Sequence, residues 1–368
     1  MQYRRMPIEI ESPEGYGYDK IECNLSESSF TDQRLADIGI NLNELLLFYG
    51  DHKGKPALRE ILAADANLST EDILITAGAA MALFIVATAL LEKGHHIVVA
   101  KSNYATNIET PRAIGANVSY LDLRFENGYK IDLAQLERSI TAQTKLVSLT
   151  YPHNPTGVTI DMATLEKIIK IIEQKNVLLL LDETYRDMNF DRPLPIAAGL
   201  SEKVISISSM SKSYGLPGIR TGWVICRNPA LMETFLAAKE QIIITNSVVD
   251  EEIAYQYLLN KEKLFAPVKA TILRNFSIVK KFMNEQSQLE WIEPRGGCVC
   301  FPRIKKTVPV NIDRFHKLLL EKYGTYVGRG HWFEEDGRYM RIGYSWEKPE
   351  KLQKGLLNIL KAIDECRL

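Results

Sequence analysis

The strongest constraint on the fold is a series of short apolar runs separated by helical segments. Runs that are apolar on both faces are typical of strands covered by helices on both sides, as in a mainly parallel sheet. A helix is predicted near Ile108 and another over 162–174. The sequence therefore predicts an α/β domain, with strands over 97–100, 118–121, 145–150, 177–181, 204–208 and 222–226.

The pattern changes after about residue 260. Long amphipathic helices are predicted over 268–284, 312–322 and 349–365, with strands between them, which is typical of a smaller α+β lobe. A helical link is expected near 230–265. We therefore predict a large domain over 41–260 and a small C-terminal domain over 261–368, with residues 1–40 forming an N-terminal arm and part of the small domain.

Composition and charge exclude several classes of function. With 46% hydrophobic residues, 25% charged residues and a net charge of -1, the chain resembles an ordinary globular protein without a nucleic-acid or anionic-membrane footprint. The longest apolar run, 77–91, is too short to cross a bilayer of about 30 Å. We expect a buried helix there with Gly94 as its C-cap. Because no apolar stretch follows the first charges, no secretory signal is expected.

The five cysteines are sparse, and none lies in a Cys-x-x-Cys pair or near a His at zinc-site spacing. We expect no metal site and a reducing, cytoplasmic location. Cys298 and Cys300 would share one face of a strand, which leaves a metal or redox pair open, although such cysteines are more often small buried hydrophobes. Among the histidines, His153 is expected to pack, and His95 and His96 to lie in a solvated turn.

Unusual chemistry follows the predicted strands, where ligands bind in sheets of this kind. Asp182 ends a wholly apolar strand, and an unpaired buried carboxylate is costly, so it requires a partner or a cation. Lys212, after the next strand, is a candidate Schiff-base nucleophile. The Gly-Ala-Ala turn at 78–80 opens a helix and offers free N–H groups to a phosphate.

Together these residues resemble the class I/II aminotransferases of the fold type I pyridoxal-phosphate enzymes, over essentially the whole chain. The resemblance implies a mainly parallel seven-stranded sheet between helices, a smaller α+β domain, and pyridoxal 5'-phosphate as the cofactor. It is carried by Tyr49, Gly54, Leu58, Arg59, Gly78, Ala79, Ala80, Tyr104, Asn154 to Gly157, Asp182, Tyr185, Ser209 to Arg220 and Arg341.

The resemblance implies catalytic roles for three residues. Lys212 would hold the cofactor as an internal aldimine and then move the proton at the substrate Cα, which requires a neutral amine. Asp182 would keep the pyridine nitrogen protonated, so that the ring accepts electrons. Tyr185, together with Asn154, would donate hydrogen bonds to the cofactor's phenolic oxygen.

The remaining matched residues are implied to bind the cofactor phosphate, the ring or the substrate. Tyr104 would stack on the ring, and the phosphate would be bound by Gly78, Ala79, Ala80, Ser209, Ser211 and Arg220. Arg341 resembles the clamp for the substrate carboxylate, with Asn154 beside it, because a guanidinium binds a carboxylate in bidentate fashion. Tyr49 resembles a residue that contacts the cofactor of the neighbouring subunit, which implies a homodimer.

The implied function is transfer of the amino group of an L-amino acid to a 2-oxo acid through internal aldimine, quinonoid and ketimine. One departure is the segment 24–30, which lacks the glycine of many members. Other segments are similar to the subgroup of capreomycidine synthase, so a cyclase, lyase or oxidase acting on an amino acid is the alternative. A regulator with a fused DNA-binding module is disfavoured, because it would need an extra N-terminal helix-turn-helix domain and only about forty residues precede Leu42. A catalytically inactive scaffold is also disfavoured, because every residue of the cofactor constellation is present.

Overall fold

The computed structural model describes residues 1–368. The strands are β1 (Cys23–Leu25), β2 (Ile73–Thr76), β3 (His96–Ala100), β4 (Asn117–Leu121), β5 (Thr144–Thr150), β6 (Leu178–Asp182), β7 (Val204–Ser209), β8 (Gly222–Cys226), β9 (Leu289–Glu290), β10 (Val299–Cys300), β11 (Arg303–Ile304), β12 (Thr325–Arg329) and β13 (Met340–Gly343).

Short helices near the N-terminus precede the longer helices of the chain. The α-helices are α1 (Pro7–Ile10), α2 (Pro13–Tyr16), α3 (Leu35–Ile38), α4 (Pro56–Ala66), α5 (Gly78–Leu90), α6 (Thr106–Ile114), α7 (Leu133–Ser139), α8 (Met162–Gln174), α9 (Pro229–Glu240), α10 (Val248–Leu259), α11 (Lys261–Glu285), α12 (Ile312–Glu321) and α13 (Pro349–Glu365).

The central sheet has seven strands in the order β2-β8-β7-β6-β5-β3-β4. Strand β8 runs in the direction opposite to the other six strands. Side chains alternate between the two faces: Leu179 and Leu181 of β6 pack in one core with Ile168 of α8, whereas Leu180 packs in another with Val86 of α5. Helices on both faces explain why these strands are continuously apolar. The predicted α/β class with a mainly parallel seven-stranded sheet is confirmed.

A second sheet has four strands in the order β1-β12-β13-β10. Strand β1 pairs in parallel with β12, so a segment near residue 24 is built into a layer formed by the last third of the chain. Leu25, Val327 and Ile342 share one core with Phe315 of α12 and Ile359 of α13. We propose that this layer, with β1, is the small domain that follows residue 260.

Several local expectations differ from the structure. Helix α5 ends at Leu90 with Leu91 as an extended cap, and Gly94 lies in the following turn, so the predicted glycine cap is wrong. Strand β2 was absent from the predicted strands because its apolar run is only four residues long and leads directly into α5. His96 is buried in β3, where its Nδ1 lies 2.7 Å from Thr144 Oγ1, rather than in a solvated turn.

No helix combines the length and apolarity that crossing a membrane requires. All five cysteines are free and buried, and no group of His, Cys, Asp and Glu side chains is arranged to hold a metal ion. Burial raises the pKa of the Cys298 thiol to about 11. Burial also raises the pKa of Cys300, and these thiols therefore have the environment of core residues.

Candidate active site

A cavity of about 370 Å³ lies at the carboxyl ends of the parallel strands, beside the start of α5 and strand β13. The structure brings most of the matched residues to its wall, although they come from elements far apart in the chain. These residues are Ala79, Ala80, Tyr104, Asn154, Asp182, Tyr185, Ser209, Ser211, Lys212, Arg220 and Arg341.

Asp182 ends β6 and is buried at the bottom of the cavity, paired across the sheet with Thr150 and Ile207. Its Oδ1 accepts hydrogen bonds from Thr184, at 3.0 Å from the backbone N and 2.6 Å from Oγ1. No Lys, Arg or His nitrogen lies within 4 Å, and burial raises the pKa of the carboxyl. A cation at its free Oδ2 would offset that cost.

Lys212 lies in the turn that follows β7, one strand away from Asp182, and its side chain is half-buried in the cavity wall. Its backbone carbonyl accepts a hydrogen bond of 3.0 Å from Phe30 N, which ties the turn to the segment 24–30. The Lys212 amine forms no ion pair within the chain. An amine held at a cavity wall without a partner is available as a nucleophile.

The N-terminus of the thirteen-residue helix α5 lies at the cavity wall, where Ala79 and Ala80 line it. Gly78 has φ +80°, and a Cβ there would lie 2.5 Å from Arg220 Nη2. Arg220 is held by Pro217 O at 2.9 Å and by Ser211 Oγ at 3.3 Å from its Nη1. The glycine thus lets the guanidinium approach free helix N–H groups, and this combination suits a phosphate.

Tyr104 and Tyr185 both form part of the cavity wall. The backbone N of Tyr104 donates to Asn103 Oδ1 at 2.7 Å, and its hydroxyl donates to Glu9 Oε1 at 3.3 Å. Asn103 also accepts from Asn107 and Thr150 and is fully buried, so it fixes this part of the wall. Burial raises the pKa of the Tyr185 hydroxyl, which therefore remains a hydrogen-bond donor.

Arg341 on β13 is a buried cation without a carboxylate partner. Arg341 is only 4% exposed, and burial lowers the pKa of its guanidinium. Nη1 donates to Asn154 Oδ1 at 3.1 Å, and Nη2 donates to Ser26 O at 2.6 Å. Nε has no partner within the chain. Because an unpaired buried guanidinium is costly, its position indicates a site for an anion.

Tyr49 does not line the cavity. It is 84% exposed and follows three other exposed apolar residues, Leu46, Leu47 and Phe48. His153 is also outside the cavity wall: it is buried, its Nδ1 lies 2.8 Å from Thr156 Oγ1, and burial lowers its pKa to about 4. A neutral histidine in such a position packs rather than exchanging protons at neutral pH.

Sequence reasoning missed a group of cavity residues near the N-terminus and in the last third of the chain. The segment 24–30 was noted as unusual, which is the only signal that pointed to its members. The others gave no motif, because α1, α2 and the 3-10 turn at Gly330–Phe333 approach the cavity only after folding. These residues are Ile8, Glu9, Ser12, Pro13, Glu14, Ser26, Glu27, Ser28 and Trp332.

Comparison with known proteins identifies the family. The family model for aminotransferase class I and II matches residues 23–359, and the chain belongs to this family. Capreomycidine synthase of Streptomyces vinaceus is 29% identical over 335 residues, which cover 88% of this chain and 82% of that protein. Aspartate aminotransferase of Pyrococcus horikoshii is 28% identical over 360 residues, which cover 94% and 91%.

The solved structure of a PLP-dependent aminotransferase from Streptococcus suis superposes with a TM-score of 0.91 at 27% identity, and the match covers 100% of both chains. The family is dependent on pyridoxal 5'-phosphate, and the cavity fits this cofactor. The α5 terminus with Arg220 matches a phosphate, and the free Oδ2 of Asp182 matches a pyridinium. The unpaired amine of Lys212 matches an aldehyde.

Proposed function

We propose that the protein is an aminotransferase that moves the amino group of an L-amino acid to a 2-oxo acid. The observation that carries this proposal is Arg341, a buried guanidinium with an unpartnered Nε in the same cavity as Lys212. An amino acid and a 2-oxo acid share the carboxylate that such a group binds. The same cavity would therefore bind both the amino acid and the 2-oxo acid.

The residues around the cofactor would each have a defined task. The bound cofactor supplies an aldehyde and a ring that accepts electrons from the substrate Cα. Lys212 would hold the cofactor through its aldehyde carbon and, once the substrate amine has displaced it, would take the proton from the substrate Cα and deliver it to that aldehyde carbon. Asp182 would hold a proton on the ring nitrogen, and its negative charge would be stabilised by that cation. Asn154 and Tyr185 would donate hydrogen bonds to the phenolic oxygen.

Phosphate binding would fix the cofactor at the other end of the cavity. The N–H groups at the start of α5, the hydroxyls of Ser209 and Ser211, and the Arg220 guanidinium would bind its oxygens. Tyr104 would stack on the ring. Because these groups belong to helix and strand ends of the central sheet, they would hold the cofactor while Lys212 is released.

Tyr49 would act in a homodimer, where it would contact the phosphate in the partner's cavity. The segment 46–49 exposes four large apolar side chains, and Ile242 and Ile244 are each 52% exposed. A contiguous exposed apolar stretch such as the segment 46–49 is typical of an interaction surface. Sedimentation of the holoenzyme should give a dimer, and Tyr49→Phe should weaken cofactor binding.

The five free thiols agree with the reducing, cytoplasmic location we propose.

The direct test is a panel of L-amino acids offered to the holoenzyme with several 2-oxo acids, with products identified by mass spectrometry. We expect one amino acid to become its 2-oxo acid while the acceptor gains the nitrogen. An enzyme that shifts the cofactor absorbance with an amino acid but never transfers nitrogen to any acceptor would contradict the proposal.

A cyclase, lyase or oxidase is the second candidate. It is favoured by the similarity to capreomycidine synthase and by the cavity segment 24–30, where this chain has Ser-Glu-Ser-Ser after Leu25. The same Lys212 and Asp182 would serve these reactions, since each begins with proton removal from Cα. A product formed without any 2-oxo acid acceptor would identify this second class.

A further inference from the structure

We propose that the cavity selects an amino acid whose side chain carries a positive charge, and that Glu27 is the principal carboxylate that binds it. This inference rests on the proposed function, because it takes the substrate to be an amino acid held through its carboxylate by Arg341. It adds the chemical class of the substrate, which the catalytic residues leave open.

The charges around the cavity do not balance once the proposed catalytic pairs are made. Three cations line it, and two of them, Lys212 and Arg220, would be used by the cofactor. Asp182 would pair with the cofactor ring. The substrate carboxylate would neutralise Arg341, whose unpartnered Nε and 4% exposure mark it as the anion site. Three carboxylates then remain without a cationic partner, and they are Glu9, Glu14 and Glu27.

The backbone of Glu27 lies between two residues that contact Arg341 and Lys212. The residue before it, Ser26, accepts the Arg341 Nη2 hydrogen bond, and Phe30 N donates to Lys212 O. Gly343 on β13 has no side chain to separate this segment from the strand, since a Cβ there would lie only 1.7 Å from Glu27 O. The backbone of Glu27 is thus fixed one residue from the Arg341 contact, within the segment that is hydrogen-bonded to Lys212.

The Glu27 carboxylate has neutral partners only. Oε1 accepts from the Tyr18 hydroxyl at 3.2 Å and from Asn24 Nδ2 at 3.4 Å, and Oε2 has no partner within the chain. No Lys, Arg or His nitrogen lies within 4 Å. The two neutral donors orient the side chain, and Oε2 stays available. An ammonium or guanidinium group would complete this arrangement with a charge-assisted hydrogen bond.

Glu9 and Glu14 extend the negative wall toward solvent. They lie on the short helices α1 and α2, where Glu9 accepts only from the Tyr104 hydroxyl and Glu14 has no hydrogen bond. Both are exposed, so solvent screens their attraction for a ligand more than that of the half-buried Glu27. We assign them a weaker role at the cavity mouth, attracting the same cation.

L-arginine and L-citrulline form a matched pair of probes, because a neutral urea group replaces the guanidinium and the rest of the molecule is unchanged. The dissociation constant of each is measured from the change in cofactor absorbance of the holoenzyme, a binding readout that does not require turnover. We expect arginine to bind at least about 10-fold more tightly, the size of a hydrogen bond to a charged group. Equal affinities would overturn the proposal without any variant.

Glu27→Gln assigns the effect to this residue. We expect arginine to bind about 10-fold more weakly and citrulline to be nearly unchanged, whereas Glu14→Gln should cost about 2- to 5-fold. Glu22→Gln is the matched control, since Glu22 lies two residues before the segment 24–30 and pairs with Lys354 outside the cavity. If Glu27→Gln weakened both probes equally, Glu27 would be a counter-ion of Arg341 and the proposal would be wrong.

Failure of the proposed function gives a different result. In that case no 2-oxo acid would gain nitrogen from any amino acid, even where that amino acid changes the cofactor absorbance, and the substrate class would still be read from the binding of arginine and citrulline. If neutral or acidic amino acids bind and arginine does not, the proposed function stands and only the assigned substrate class is overturned.

Discussion

The two halves of the cavity are built in different ways. The cofactor half consists of Gly78 to Ala80, Asp182 and the turn from Ser209 to Arg220, which all follow or precede strands of one sheet. The substrate half consists of Arg341, the segment 24–30 and the N-terminal helices α1 and α2. In the second half, Ser26 and Arg341 lie 315 positions apart. The cofactor half is recognisable in the sequence because it lies at a single sheet edge. The substrate half forms only when segments far apart in the sequence come together in the fold.

The largest expected effect is at Lys212. Lys212→Ala should keep the phosphate contacts and still bind the cofactor, but kcat/KM should fall by at least about 10⁴-fold because nucleophile and proton carrier are both lost. Lys281→Ala, at an exposed position on α11, serves as the control. Borohydride reduction and peptide mapping of the unaltered protein should place the pyridoxyl group on Lys212. A label on another lysine would contradict the assignment.

Arg341 tests the substrate half. Arg341→Ala should weaken amino-acid binding by about 2–5 kcal/mol, the range for truncating one partner of a buried charge pair, and leave cofactor affinity nearly intact. Arg341→Lys should recover part of the loss, because an ammonium lacks the bidentate fork. The check is to titrate an amino acid and its decarboxylated amine. An equal loss for both ligands would show that Arg341 is structural.

Asp182 tests the cofactor half without changing its shape. Asp182→Asn removes the negative charge opposite the ring nitrogen, and we expect kcat to fall by about 10²- to 10³-fold, as for other lost electrostatic contacts in active sites. The absorbance of the cofactor as a function of pH should show easier loss of the ring proton. Unchanged turnover and cofactor affinity would remove this residue from the electron-accepting role.

Glu183, next to Asp182, gives the smallest effect and separates folding from catalysis. It is buried, its Oε1 accepts from Ala197 N at 3.2 Å, and burial raises its pKa to about 7. The folded state then binds more protons than the unfolded state. The free energy of unfolding therefore falls as pH rises, by about 2 kcal/mol between pH 5 and 7. In Glu183→Gln, the free energy of unfolding measured with urea should fall less between pH 5 and 7. An identical slope in both proteins would contradict the assignment.

The sequence by itself determined six of the seven strands of the central sheet, all but β2, and much of the cofactor half. Strands such as β8 (Gly222–Cys226) and helices such as α8 (Met162–Gln174) were predicted at their observed limits, because their apolar pattern follows directly from burial on one or both faces. The cofactor residues could be grouped for a related reason, since carboxyl ends of parallel strands meet at one edge.

Only the tertiary structure decided the shape and charge of the substrate half. Glu9, Glu14 and Glu27 gave no motif, since an isolated glutamate near the N-terminus usually faces solvent. The position of Glu27 near Arg341 follows from the parallel pairing of β1 with β12 and from the missing side chain at Gly343, both of which are contacts between distant parts of the chain. Local pattern determines which residues are buried in a strand, but it carries no information on which distant strand lies beside it.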